Sequence, residues 1–204
     1  MKLFYAPGSC AFVPLALLEE AGADYDAERL LLAEGEQRSA WFLKINPFGR
    51  VPALITDHGS VLTENIGIIS WIAGRFPEAS LLPMSDADQA GHTYSMMSWF
   101  ATSLHVAIAQ IWRPERFTID KVHHAALGEG GRNTLFQGFE KIEKHMTAAW
   151  LLGDRYSALD PYAYVFWRWG DRLQHDMTQY KMWHAHTERL LALPSVQRAI
   201  AREG

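Results

Sequence analysis

The grammar of this chain changes once, at a stretch bracketed by prolines, and that change limits the folds open to it. Up to Phe76, short apolar runs alternate with stretches of helical period. Beyond Pro77-Glu78-Ala79-Ser80-Leu81-Leu82-Pro83 no strand pattern recurs. Alternating strands and helices predict an α/β unit, and a long strandless remainder predicts helices packed on helices. Strands are expected over residues 2–5, 26–31, 53–56 and 61–62, with helices over 10–22, 39–44 and 64–76. Asp57-His58-Gly59-Ser60 carries turn chemistry, so the last two strands form an antiparallel hairpin and the order reads β-α-β-α-β-β-α. The remainder reads as helices over 86–112, ended by Pro114, then 118–147, 157–172, 178–191 and 195–202. Gly128-Glu129-Gly130-Gly131 is expected to kink or split the second of these. The expected division is an α/β domain over 1–78, a linker over 79–85 and an all-α C-terminal helical domain over 86–204.

With 204 residues, 49% of them apolar, the chain can bury a sizeable core. Its net charge of −4 offers no basic face, so neither nucleic acid nor a membrane is an expected partner. One cysteine, Cys10, allows no internal disulfide and builds no zinc site. His123-His124 and His184-Ala185-His186 occupy helix positions that do not share a face, so no metal is expected there either. A membrane span needs about 18 apolar residues in a row, and none occurs. Pro7 and Gly8 interrupt the N-terminal apolar run, so no secretion signal is expected and the protein is read as soluble and cytoplasmic.

Cys10 is the first place where chemistry is expected. It follows the break Ala6-Pro7-Gly8-Ser9 and leads into a helix, where unpaired N–H groups and the positive end of a dipole face the thiol. Such a setting lowers a thiol pKa from ~8.5 into the range of roughly 3.5–7.5. The other reading is a buried, inert cysteine packed as a small hydrophobe. Val51-Pro52 is either an ordinary strand-start proline or a cis bond that leaves the flanking backbone free to pair with a ligand. Leu62-Thr63-Glu64-Asn65 sets an acid and an amide at a helix start, where they hold a ligand or where Thr63 merely caps the helix. Gly153-Asp154-Arg155-Tyr156-Ser157-Ala158-Leu159-Asp160 is a capping box with Asp in the usual place of Glu, a structural signal. Phe100, Leu104, Ile108 and Trp112 recur at helical spacing, and most such stripes are core. Trp112 and Phe117, at the helix end expected to face the first domain, are the candidates for a hydrophobic substrate pocket.

Together these elements resemble the cytosolic glutathione S-transferases over essentially the whole chain. The resemblance rests on Asn46-Pro47-Phe48-Gly49-Arg50-Val51-Pro52-Ala53-Leu54, on Leu62-Thr63-Glu64, and on Gly153 with Ser157 and Asp160. Tyr5-Ala6-Pro7-Gly8-Ser9-Cys10 is similar to the opening of the bacterial beta class. The family implies a thioredoxin-like N-terminal domain, glutathione as co-substrate, a small-molecule electrophile and a homodimer. It implies that Val51 pairs its backbone with the cysteinyl part of glutathione beside cis-Pro52. Glu64 would take the γ-glutamyl ammonium, and the helix start at Asn65 its carboxylate. Cys10 would lie near the glutathione thiol with Ser9 and Tyr5 beside it, His105 over the site and Trp169 in the same region.

The implied reaction is transfer of the glutathione thiolate to an electrophile, with thiol exchange at Cys10 as a companion activity. Two departures imply weaker glutathione binding. Asn65 stands where the family has Ser, and Ala33-Glu34-Gly35-Glu36 is acidic where beta-class members carry Lys. The other readings are a glutathione-dependent lyase, isomerase or dehalogenase on the same scaffold, or a non-catalytic interaction module.

Overall fold

The computed structural model, which describes residues 1–204, carries strands only in the first third of the chain. There β1 (Lys2–Tyr5), α1 (Phe12–Glu20), β2 (Asp26–Arg29), α2 (Ala40–Ile45), β3 (Ala53–Ile55), β4 (Val61–Thr63) and α3 (Asn65–Arg75) follow the expected order. The sheet runs β2-β1-β3-β4. Leu3 on β1 faces Ala27 of the parallel β2 on one side and Leu54 of the antiparallel β3 on the other. The β1–β2 pair is parallel, so the chain must cross over between them, and α1 is that crossover. β3 and β4 form the antiparallel hairpin. This is a thioredoxin-like layer. Its α1 is apolar on every side, and Phe12 to Glu19 are all buried, because α3 packs on one flank and α7 and α9 on another.

The rest is helical: α4 (Ala87–Trp99), α5 (His105–Trp112), α6 (His124–His145), α7 (Leu159–Arg172), α8 (Lys181–Leu191) and α9 (Pro194–Glu203). A π-helical turn over Phe100–Leu104 joins α4 to α5 without a break, as the single expected helix requires. The carboxylate half of the capping box forms, while the Asp160 N–H goes to the Ser157 carbonyl and the Ser157 hydroxyl oxygen accepts the Leu159 N–H. Buried Asp160 accepts the Ser157 N–H at 2.6 Å and hydroxyl at 3.0 Å, and also bonds the Leu151 N–H and the His186 ring. The glycine cluster in α6, by contrast, does not split it, and the helix runs unbroken from His124 to His145. A Cβ at Gly131 would lie 2.6 Å from the Ala107 carbonyl oxygen, and one at Gly138 would lie 2.3 Å from Leu104 Cδ2. Gly131 lets α6 lie directly against α5, and Gly138 lets it lie against the π-helical turn before α5, and that packing outweighs their poor helix propensity. One apolar cluster runs from Leu3 and α1 through to Phe139, Phe166 and Trp183, and a small second one packs Phe4, Leu30 and Ala53 against Phe42 of α2. No helix is long and apolar enough to cross a membrane.

Candidate functional site

Between the α/β layer and α5 and α7 lies a cleft of about 890 Å³. The N-terminal half lines it with Ser9, Cys10, Val51, Pro52, Glu64 and Asn65, and the helical half with His105, Trp112, Phe117 and Trp169. Of the residues singled out from the sequence, Tyr5 alone stands outside. It shares with Leu3 the face of β1 that packs into the main core, and its hydroxyl donates to the Arg202 carbonyl at 2.5 Å. The π-helical turn precedes His105, and its Ala101 and Thr102 line the cleft beside that histidine.

The loop that carries Cys10 is held from the far end of the chain. Gly8 adopts φ +70, a conformation that favours glycine. Trp169 Nε1–H donates to its carbonyl at 2.9 Å, and its N–H donates to Glu203 Oε1 at 3.1 Å. Glu203 Oε2 in turn pairs with Arg168 Nη1 at 2.5 Å. Ser9 faces the cleft, but its hydroxyl proton goes to the Ala6 carbonyl at 2.6 Å while its oxygen accepts the Ala11 N–H at 3.2 Å. The Cys10 thiol donates to the Val51 carbonyl at 3.8 Å, and the Cys10 carbonyl accepts from Asn65 Nδ2 at 3.2 Å.

On the facing loop the Val51-Pro52 peptide is cis. Asn46 Nδ2 donates to the Arg50 carbonyl at 2.7 Å and fixes the turn before Val51. Glu64 has φ +65, a strained conformation for a residue with a Cβ, of the kind that clusters at ligand sites. It forms the N-cap of α3, and no side chain caps that helix, so Thr63 is not the cap the sequence allowed. The first N–H groups of α3 therefore have no side-chain partner. Asn65 Oδ1 and Gln37 Oε1, both from residues lining the cleft, are likewise buried without a hydrogen-bond partner in the chain.

Residues 1–74 match the family described as glutathione S-transferase, N-terminal domain. Along the full chain, glutathione S-transferase GstA of Escherichia coli O157:H7 is 28% identical over 100% of this chain and 99% of its own. A glutathione transferase homologue from Sulfitobacter, solved with bound glutathione, superposes with a TM-score of 0.93 at 28% identity, covering 98% of this chain and 97% of that one. A bacterial beta-class glutathione S-transferase from Sphingomonas chungbukensis is 30% identical with a TM-score of 0.87, covering 100% of this chain and 99% of that one. The chain belongs to the glutathione S-transferase family.

Within this glutathione S-transferase, burial decides between the two readings of Cys10. Burial is the largest influence on Cys10 and pushes its thiol up to about 12, with Glu64 adding in the same direction. The helix start lies close to where it was expected, with α1 beginning at Phe12, but desolvation outweighs the dipole and the group is a thiol at neutral pH. His105 is pulled down to about 4, by burial first and then by Arg116 and Arg50, so its imidazole is neutral. Its ring lies 5.2 Å from that of Trp169, which meets Trp112 edge-on at 5.7 Å.

Sequence reasoning missed several residues of this site. Arg168, which pairs with Glu203 behind the Cys10 loop, had no role in the sequence reading. Arg113 and Arg116 flank the Trp112 and Phe117 that drew attention instead, and Arg50 and Arg172 also line the cleft. Glu203 carries no local signal, since its partners are remote in sequence.

Proposed function

We propose that this chain binds glutathione along the N-terminal wall of the cleft and transfers its sulfur to a small electrophile held by the helical wall. The observation that carries this reading is the pairing of two unlike walls in one cleft. One bears backbone groups, the strained Glu64 and two unpartnered buried acceptors, and the other is aromatic. Asn65 Oδ1 and Gln37 Oε1 suit the amide and ammonium N–H groups of a peptide ligand, since a buried acceptor left unpaired is unfavourable. Glu64 would take the ammonium of glutathione, the uncapped start of α3 its carboxylate, and the Val51 backbone its cysteinyl unit.

In the reaction the glutathione thiol releases its proton to solvent. Its sulfur forms a bond to the electrophilic carbon, and the leaving group departs with the electron pair of the bond that breaks. Cys10, held as a thiol, turns its one proton from the Val51 carbonyl to the glutathione sulfur when the tripeptide binds, and so serves as a neutral hydrogen-bond donor. A protonated thiol is a poor nucleophile, which favours transfer by glutathione's own sulfur over exchange through Cys10. Trp112, Phe117 and Trp169 supply the apolar wall for the electrophile, and neutral His105 adds no charge to repel it.

We read the protein as a beta-class-like homodimer of the cytoplasm. The Cys10-bearing opening supports the class, and a single thiol without a disulfide partner suits a reducing compartment. Thermal unfolding against glutathione tests the reading. At a hundredfold excess over Kd, glutathione stabilises the fold by ~2.7 kcal/mol, a rise in Tm of roughly 5–10 °C for a chain of this size. The rise is expected to persist in Cys10→Ser, because the contacts invoked are non-covalent. No rise in either protein would overturn the reading.

A further inference from the structure

The cleft is charged as well as aromatic, and almost all of that charge has one sign. Arg50, Arg113, Arg116 and Arg172 line it, and Glu64 is the single acid among the lining residues. The arginine ion pairs of the chain belong to Arg168, Arg198 and Arg202, so these four guanidiniums have none. On a chain of net charge −4 this is a local reversal of sign. Three of these cations, Arg50, Arg113 and Arg116, also feel one another. Arg116 is held below the ordinary arginine range by burial first, then by Arg50, Arg113 and Arg38, with Glu115 opposing. Like charges gathered in a cleft raise its energy until an anion enters.

Their placement indicates which ligand they serve. Arg113 and Arg116 follow the end of α5, and Arg172 closes α7, so all three belong to the helical wall rather than to the wall of Val51 and Glu64. Arg172 lies over the Trp112 ring at 5.0 Å, which joins the cation cluster to the aromatic floor. Arg50 adjoins Val51 and belongs to the glutathione side.

We propose that the second substrate is an anionic aromatic electrophile, its ring against Trp112 and Trp169 and its carboxylate or similar group on Arg113, Arg116 and Arg172. The proposal rests on the transferase reading, and the reaction is the same: the glutathione sulfur bonds to the ring carbon and the leaving group departs with its electron pair. Guanidiniums match a carboxylate in fork geometry, and unpaired ones have no partner to release first.

The test begins without glutathione. A nitrobenzoate and the matching neutral nitrobenzamide are titrated against tryptophan fluorescence at low ionic strength. The benzoate is expected to bind at least about fivefold more tightly. The preference should shrink with added salt and fall to within about twofold in the Arg116→Gln/Arg172→Gln double variant. The corresponding double Lys variant should keep part of it. Equal binding of the two ligands, or a preference that survives the Gln variant, would overturn the proposal.

Turnover with glutathione then compares a chlorodinitrobenzoate with its amide. The ratio of their kcat/KM values should drop in the Gln variant by the same factor as the binding preference. If both substrates lose equally and the KM for glutathione rises, the arginines serve glutathione and the proposal fails. If neither substrate reacts while the binding preference stands, the anion site is upheld and the transferase reading is the one overturned.

Discussion

His105 is buried close to Arg116 and Arg50, and burial first, then those charges, decides its protonation. Its folded pKa of about 4 lies below the ordinary 6.5, so as acid is added the unfolded chain takes up this proton before the folded chain does. Stability contributed by the neutral imidazole is therefore complete above about pH 6.5 and is lost as the pH falls towards 4. His105→Asn is expected to flatten part of the decline in Tm over that window. The same value predicts that the kcat/KM profile between about pH 5 and 8 has no limb from this histidine. A limb near pH 6.5 that disappears in His105→Asn would mean the imidazole titrates in the folded cleft, and would refute the assignment. Placement was legible in the sequence at this scale where protonation was not. Cys10, Val51 and Glu64 could be set at the ends of elements because turn residues and apolar runs mark those ends. The thiol state of Cys10 depends on desolvation by packed neighbours, which no local pattern reports, so the sequence left two readings open and burial selects the unreactive one.

At the scale of elements, the site depends on the last helix of the chain. Glu203, on α9, accepts the Gly8 N–H and the Arg168 guanidinium, and Arg168 in turn lies 4.4 Å from the centre of the Phe12 ring in α1. Glu203 is 10% exposed and Arg168 19%, so solvent screens the pair only weakly. Glu203→Ala would leave the guanidinium without its partner at a cost of about 1–3 kcal/mol, a fall in Tm of roughly 2–10 °C. Released from α9, the Gly8 to Cys10 loop should also present the glutathione wall less well, raising the KM for glutathione more than it lowers kcat. Glu203→Gln keeps an acceptor for Gly8 and should recover much of the KM while losing the ion pair. Calorimetry and steady-state rates on the two variants read both effects, and a Tm unmoved by Glu203→Ala would remove the clamp from the account. Strand and helix order was legible here because apolar period and proline breaks report it directly. The clamp was not, since it joins Gly8 to Glu203, 195 positions away, and Glu203 and Arg168 each look like an ordinary surface charge in their own segments. The Gly128 to Gly131 cluster misled for the same reason. Intrinsic propensity argued for a weak helix, and only the closeness of Ala107 in α5 shows why glycine sits at position 131.

For the molecule as a whole, the sequence divides more sharply than the folded chain does. The change of grammar near Pro77 separates a strand-bearing part from a helical one, yet a single apolar cluster spans both. α1 is the shared element. Glu19 on it accepts from Arg198 Nε at 2.8 Å and from Arg202 Nε at 2.5 Å, Glu20 bonds Ser195, and the Phe12 ring packs on Tyr164 with centroids 5.3 Å apart. A fragment of residues 1–78 would expose the flank of α1 that faces α7 and α9. Exposing two or three large apolar side chains costs on the order of 5 kcal/mol, comparable with the whole stability of many domains. The full chain is therefore expected to unfold as one unit. Amides in β1 and β3 should exchange through the same global opening as amides in α8, with equal free energies, and the 1–78 fragment should show no cooperative transition of its own. Two separate transitions in the full chain, or a fragment that melts cooperatively, would show that the halves stand independently. The cleft lies between these two halves, so the cooperativity that joins them also sets the distance between its N-terminal wall and its helical wall. Loosening α1 from α9 should then degrade turnover before it unfolds either half.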